Sequence, residues 1–145
     1  MISFAAAGEA DFERLLALRI EVMRPHLERL GRFHPERARA RFREAFDPAH
    51  MRLILVDGVF AGCVSLASAS DHLILGQFYL SPPHQGRGLG GAVLALLLAE
   101  ADGAGLPVRL SVLKESPAAR LYERHGFRKT GEDDWDVYYE RRLPA

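Results

Sequence analysis

Residues 80–91, LSPPHQGRGLGG, decide the fold, because they place four glycines where a strand ends and a helix begins. An apolar run at residues 73–80 precedes them, and an apolar helix candidate at residues 92–101 follows. The first four N–H groups of a helix have no acceptor inside it and carry the positive end of its dipole. Because glycine has no Cβ, a phosphate group can approach such amides directly. The segment therefore predicts a loop that binds a phosphorylated cofactor.

The composition is typical of one globular domain, and we interpret residues 1–145 as a single domain. Hydrophobic residues make up 48% of the chain and charged residues 26%. The 19 basic residues balance the 19 acidic ones, so the net charge is zero. Because general nucleic-acid binding relies on a basic surface, this balance argues against a nucleic-acid partner.

Several features favour a cytoplasmic protein without a membrane partner. Cys63 is the only cysteine, so the chain cannot form an internal disulfide. The N-terminal residues lack the basic and apolar regions of a signal peptide, and the longest apolar run, 92–99, is too short to span a bilayer. Cys63 lies in an apolar strand candidate, which predicts an inert buried thiol. The histidines show no paired ligand spacing, so we expect no metal.

Hydrophobic periodicity predicts the element order β-α-α-β-β-β-α-β-α-β-β. In this α/β fold a mixed sheet of six to seven strands is antiparallel early and parallel at its centre, with helices on both faces. Pro25 ends or bends the first helix near Arg24, and Pro35 begins the second. Ser116 caps the fourth helix, which Gly126 ends, and a polar turn at 131–134 separates the last two strands. The remaining predicted elements are strands at 2–5, 52–56, 59–67, 73–80, 107–113, 127–130 and 135–143.

The glycines match G-x-G-x-x-G, the fingerprint of dinucleotide-binding folds, but their context does not fit it. That fingerprint lies early in a parallel sheet and needs an acid about 20 residues later, where this chain has residues 110–112, LSV. A nucleotide-triphosphate loop is excluded in its standard form, because no G-K-[ST] follows.

Two motifs instead resemble those of the GNAT superfamily of acyl-CoA-dependent N-acetyltransferases. Residues 85–90 read Q-x-x-G-x-G directly after the strand candidate, and residues 121–127 read L-Y-x-x-x-G-F. Their order and separation fit the superfamily, as does the whole element order. The resemblance implies acetyl-CoA as cosubstrate and an amine, of a small molecule or of a peptide or protein, as acceptor.

The resemblance also implies roles for individual residues. Backbone amides at about 87–91 would hold the pyrophosphate of coenzyme A, flanked by the Gln85 and Arg87 side chains. The backbone at the end of the fourth strand would bind the pantetheine arm, and Tyr122 would protonate the departing thiolate. Ser116 stands where the superfamily often has asparagine. The implied cofactor-binding residues are Phe78, Leu80, Gln85, Gly86, Arg87, Gly88, Leu89, Gly90, Gly91 and Ser116.

The sequence says less about the acceptor site and the general base. No acid occurs near Ile74, where the superfamily often has a glutamate base. Water alone, His72, Glu21 or His26 remain as alternatives. The first two helices usually wall the acceptor site, so Arg24 or Arg32 is expected to bind a carboxylate or phosphate, unless this wall is simply a charged surface. The candidate acceptor-binding residues are Glu21, Arg24, Arg32 and His72.

Two functions follow from these patterns. One is an N-acetyltransferase that uses direct transfer to a primary amine, and the other is a non-catalytic module that binds acyl-CoA. The aromatic residues near the C-terminus, Trp135, Tyr138 and Tyr139, either line the pantetheine slot or form a homodimer contact.

Overall fold

A computed structural model describes residues 1–144 and contains the predicted order of seven strands and four α-helices. The strands are β1 (Ile2–Ala6), β2 (Met51–Val56), β3 (Val59–Ser68), β4 (Leu73–Leu80), β5 (Val108–Leu113), β6 (Arg128–Glu132) and β7 (Asp136–Arg141). The helices are α1 (Phe12–Arg29), α2 (Pro35–Ala45), α3 (Leu89–Ala104) and α4 (Ala118–Arg124).

The strands form one mixed sheet in the order β1-β2-β3-β4-β5-β7-β6. The pairs β1–β2, β2–β3, β5–β7 and β6–β7 are antiparallel. Strand β4 runs parallel to β5, with Leu73 opposite Val108 and Ile74 opposite Arg109. The predicted fold class, including the parallel centre, is confirmed.

The chain divides into two compact units, and both share β4. The first unit comprises residues 1–65 and 77–85, and the second comprises residues 66–76 and those from 86 onward. The core of the first unit centres on three rings, Phe12 of α1, Phe42 of α2 and Phe46 directly after α2, whose centroids lie 5.4–5.6 Å apart. The second unit buries one side of α3, through Val93, Leu94, Leu97, Leu98 and Ala101.

The prediction that α1 ends near Arg24 was wrong, because the helix continues through Pro25 to Arg29. Proline removes only one backbone donor, and the turns beyond it keep theirs, since the Leu30 N–H donates to the His26 carbonyl at 3.2 Å. An ion pair between Arg24 and Glu28 adds an i,i+4 contact across the proline.

Glycines in left-handed conformation set the ends of α3, which is longer than the predicted 92–101. Gly88 (φ 77°) precedes its first residue and Gly105 (φ 70°) follows its last. The predicted polar turn at 131–134 was also too long. Gly131 and Glu132 belong to β6, opposite Tyr138 and Val137, because a bulge after Lys129 shifts the register.

Candidate functional site

Strand β4 changes its backbone conformation at Gln77, a feature that the sequence analysis missed. Gln77 has φ 47°, in the left-handed region that few residues other than glycine adopt, and its side-chain oxygen is buried without a hydrogen-bond partner among residues 1–144. The Cys63 thiol donates to the Gln77 carbonyl at 3.3 Å. Residues in such uncommon backbone conformations cluster at functional sites, so Gln77 makes β4 a candidate part of the site.

Close contact between β3 and the end of β4 depends on Gly62. A Cβ at this position would lie 2.1 Å from the Tyr79 carbonyl oxygen, so no other residue fits without moving the backbone. Just beyond, the Ser81 N–H donates to the Ala61 carbonyl at 2.8 Å. These contacts fix the strand end that carries Phe78 and Leu80, both half-buried.

The Gln85 side chain turns back to the same strand end. Its Nε2 donates to the Leu80 carbonyl at 2.9 Å, while the Ser81 hydroxyl and the His84 Nδ1 are 2.8 Å apart. One backbone group of the strand end predicted to bind the pantetheine arm, the Leu80 carbonyl, is therefore paired with Gln85 in this structure.

In the second unit the glycine loop leads directly into α3. Gly86 (φ 72°) and Gly88 (φ 77°) both adopt the left-handed conformation, which favours glycine at these two positions. Ala92 is the first residue of the helix whose N–H reaches a helical acceptor, the Gly88 carbonyl at 3.1 Å. The amides of Leu89, Gly90 and Gly91 thus lack acceptors within the helix.

The electrostatics of this helix end favour an anion. No side chain among residues 1–144 caps α3, and its first turn carries no acidic residue. Arg87 lies exposed in the loop before it. Three open amides, the positive end of a 16-residue helix and a nearby guanidinium form a site suited to a phosphate group.

Helix α4 presents Tyr122 as its buried residue. The Tyr122 ring packs edge-on against Phe127, with centroids 5.6 Å apart. Gly126 (φ 92°) ends the helix and turns the chain back, so that the Phe127 N–H donates to the Tyr122 carbonyl at 3.1 Å. The spacing L-Y-x-x-x-G-F is therefore a helix ending that fixes the tyrosine against a phenylalanine.

Ser116 stabilises the start of α4 from one residue before the cap position, which Pro117 takes in place of the predicted Ser116. Its hydroxyl accepts a hydrogen bond from the Ala118 N–H at 3.3 Å, although the helix is assigned from Ala118. His125 lies at the other end, where its Nδ1 donates to the Leu121 carbonyl at 2.9 Å. This bond agrees with the expected interaction of a histidine with helix C-terminal carbonyls.

The C-terminal end of α4 approaches α3 at Gly91, a proximity that sequence reasoning missed. A Cβ at Gly91 would lie 3.5 Å from Cε1 and 3.7 Å from Nε2 of the His125 ring, and 3.9 Å from Leu121 Cδ1. Leu121 and His125 are one turn apart and so share a face of α4. The only sequence feature that could have indicated this proximity is the i,i+4 spacing of Leu121 and His125 in the second motif.

The candidate acceptor-binding residues lie on three different segments, two in the first unit and one in the second. Glu21 and Arg24 lie exposed on α1, where Arg24 pairs with Glu28 and stacks over Phe33 at 4.8 Å. Arg32 is half-buried in the connection to α2. His72 belongs to the second unit, immediately before β4, and its Nδ1 bonds to the Asp71 carboxylate at 2.6 Å.

The remaining alternative base, His26, has no free basic nitrogen. Arg29 donates to its Nδ1 at 3.2 Å, so the neutral ring carries its proton on Nε2. That nitrogen is buried without a hydrogen-bond partner in the described part of the chain. His26 is therefore in the wrong tautomer to accept a proton from an amine.

Cys63 is buried, as predicted, and burial raises the pKa of its thiol to about 12. Burial likewise raises the pKa of Tyr79 to about 12, against the lowering effect of Arg19. Neither group is charged near neutral pH, so neither acts there as an anionic nucleophile.

Residues 1–144 contain no group of three or more His, Cys, Asp or Glu side chains arranged to hold a metal ion. None of the helices in this part of the chain has the length and apolar character needed to cross a membrane.

Comparison with known protein families gives a match that spans both motifs. The model of the acetyltransferase (GNAT) family matches residues 15–127, which is more than half of the chain. The chain belongs to this family. A comparison with curated proteins found no match.

Solved structures support the same fold. PaiA N-acetyltransferase from Thermoplasma acidophilum, in complex with coenzyme A, superposes with a TM-score of 0.78 at 18% identity, covering 99% of both chains. The ribosomal-protein-S18-alanine N-acetyltransferase from Escherichia coli gives 0.69 at 20%, covering 100% of this chain and 96% of that one. N-acetylglutamate synthase from Neisseria gonorrhoeae, complexed with coenzyme A and N-acetyl-glutamate, gives 0.68 at 21%, covering 100% of this chain but only 36% of the synthase. At these identities the likeness concerns the fold.

Proposed function

We propose that the chain is an N-acetyltransferase that moves an acetyl group from acetyl-CoA to a primary amine by direct transfer in a ternary complex. The observation that carries this proposal is the uncapped first turn of α3 behind left-handed Gly86 and Gly88, in a chain of the GNAT family. Two similar structures contain coenzyme A, which supports this ligand for the loop.

In this proposal the backbone binds the donor. The amides from Arg87 to Gly91 hold the pyrophosphate, with the Arg87 guanidinium beside it. Phe78 and Leu80 offer backbone groups to the pantetheine arm. The Leu80 carbonyl accepts one hydrogen bond from the Gln85 amide in this structure, and its second lone pair remains for the pantetheine arm.

The transfer step needs three groups around the thioester. The neutral amine attacks the carbonyl carbon, a C–N bond forms and the C–S bond breaks. A backbone N–H near Leu80 stabilises the oxyanion, and the Tyr122 hydroxyl donates its proton to the departing thiolate. The proton of the amine passes to water, with Glu21 and His72 as the remaining alternatives, because Ile74 stands where a carboxylate base is common and His26 has no free basic nitrogen.

Ile74 also favours a second candidate function, a module that binds acyl-CoA without catalysis. This position lacks a carboxylate, and the Ile74 side chain is 45% exposed. The two candidates share cofactor binding and differ in thiol release. The predicted cytoplasmic location and a homodimer contact at Trp135 or Tyr138 apply to both.

Calorimetric titration with acetyl-CoA and CoA tests whether the protein binds the cofactor, as both candidate functions require. If neither ligand binds detectably, both candidates are contradicted. A panel of amines, amino acids and peptide N-termini, monitored by release of free CoA thiol, then separates them. We expect acceptor-dependent release. Binding without release from any acceptor favours the module.

A further inference from the structure

The contact between α3 and α4 offers the cofactor a side chain that the motifs do not assign. The His125 ring lies against Gly91, the third residue of α3, and both belong to the second unit. Helical side chains lean toward the N-terminus of their helix, so the Cβ direction at Gly91 points toward the open end of α3. Because residue 91 is glycine, no side chain separates the ring from that end.

The hydrogen bond of His125 fixes which nitrogen faces the helix start. A carbonyl oxygen only accepts, so Nδ1 carries the hydrogen that bonds to Leu121. Nε2 is then the basic nitrogen of the neutral ring. Among residues 1–144 the structure gives Nε2 no hydrogen-bond partner, and it lies 3.7 Å from the Cβ position of Gly91.

Among residues 1–144, no carboxylate pairs with the His125 imidazole. Arg124 precedes His125, Glu123 lies two residues back on α4, and Arg87 lies in the loop. Arg141, whose side chain lies 3.9 Å from the position a Cβ would take at Gly126, is paired with Asp102. The first turn of α3 carries no acid. An anion at the helix start is therefore the natural partner for a charged ring.

We propose that His125 Nε2 donates a hydrogen bond to a pyrophosphate oxygen of the coenzyme A bound at the glycine loop. This inference rests on the proposed function. It makes His125 a cofactor-binding residue on the helix that also carries Tyr122, three residues earlier.

The contact requires one additional proton. Nδ1 already donates to the Leu121 carbonyl, so Nε2 needs a hydrogen of its own to donate to the anionic pyrophosphate oxygen. That hydrogen is supplied by solvent as a proton, and no other bond forms or breaks. The contact therefore predicts proton uptake when coenzyme A binds.

Isothermal titration of coenzyme A and dephospho-coenzyme A, in two buffers of different ionisation enthalpy, tests the proposal. The informative variant is His125→Asn, because the asparagine amide can still donate to the Leu121 carbonyl while Nε2 is lost. His50→Asn is the matched control, since His50 bonds to Asp47 in the first unit. Thermal melts verify that both variants fold.

We expect His125→Asn to lower the affinity for both ligands about tenfold, which is the range of one hydrogen bond to a charged group. The variant should also lose most of the proton uptake. His50→Asn should change neither quantity. Unchanged affinity in folded His125→Asn, or a loss with the same proton uptake as wild type, overturns the proposal. A loss with coenzyme A but not with dephospho-coenzyme A overturns the pyrophosphate assignment in favour of the 3′-phosphate. Failure of the wild type to bind either ligand contradicts the proposed function itself.

Discussion

The glycine loop with α3 and the α1–α2 pair are built by different means. The loop and the first turn of α3 present backbone groups, in conformations that only a few residue types adopt. The α1–α2 pair instead joins its helices through a buried trio of aromatic rings and, at its surface, through ion pairs of Arg39 with Glu13 and Arg43 with Glu9. A site made of backbone leaves a readable sequence pattern, whereas a surface made of long charged side chains leaves several interpretations open.

The largest effect is expected at the aromatic trio. Phe42 of α2 is completely buried against Phe12 and Phe46, so Phe42→Ala should lower the free energy of unfolding by about 3–5 kcal/mol. Denaturant unfolding measures this change. Leu30→Ala, at an exposed apolar position, is the control and should change little. Similar losses in the two variants would contradict the view that the rings hold these helices.

Replacing Tyr122 by Phe tests the chemistry assigned to α4. The variant keeps the ring against Phe127 but removes the hydroxyl, so kcat should fall about 100-fold, within the usual range for a general acid. The affinity for coenzyme A should stay unchanged. Steady-state thiol release and titration measure the two quantities, with Tyr138→Phe as the matched control. Unchanged kcat in Tyr122→Phe would remove the proposed role.

Gly88 allows a direct test of the backbone conformation at the loop. Gly88→Ala should destabilise the protein by about 1–2 kcal/mol, because the left-handed region is unfavourable for alanine. It should also lower the affinity for coenzyme A. Gly88→Asn should lose less of both, since asparagine tolerates that region better. A Cβ at this position meets nothing within 4 Å, so steric overlap does not confuse the comparison. Equal losses for the two variants would argue against a conformational origin.

The smallest effect is expected at the surface ion pairs. The Arg39 hydrogen bond lowers the pKa of Glu13, so the pair stabilises the folded state above the ordinary carboxyl value near 4.5, and this contribution is lost as pH falls through the lowered pKa. Because both side chains are exposed, Glu13→Gln should shift the melting temperature only slightly at pH 7 and not at all in strong acid. Melting curves across this pH range, with Glu44→Gln as control, measure the difference. A large shift at pH 7 would show that ion pairs hold the helices.

The sequence predicted the features that depend on local patterns. The bounds of β4, Leu73–Leu80, were predicted correctly, because the apolar run ends at Pro82 and the glycine loop. Gly126 was correctly predicted to end α4, since a left-handed residue is needed there.

Features that arise from contacts across the fold were missed. Nothing local distinguishes Gln77, with its φ of 47°, from other strand residues. Gly62 is a glycine because of the Tyr79 carbonyl, which lies 17 residues away in sequence. The contact of His125 with Gly91 joins two helices 34 residues apart. For the acceptor-side candidates, exposed Glu21 and Arg24 carry no local signal of what they bind.

The burial of Cys63 has a practical consequence for studying the protein. Cys63 is the sole thiol of the chain, it is fully buried, and its pKa of about 12 keeps it protonated at neutral pH. Aromatic disulfide reagents and maleimides react with the thiolate, so the folded protein should contribute almost no background to a colorimetric assay. A cysteine introduced at an exposed position, such as Arg37 on α2, would therefore be a unique attachment point for a fluorophore or spin label, without prior removal of the native one.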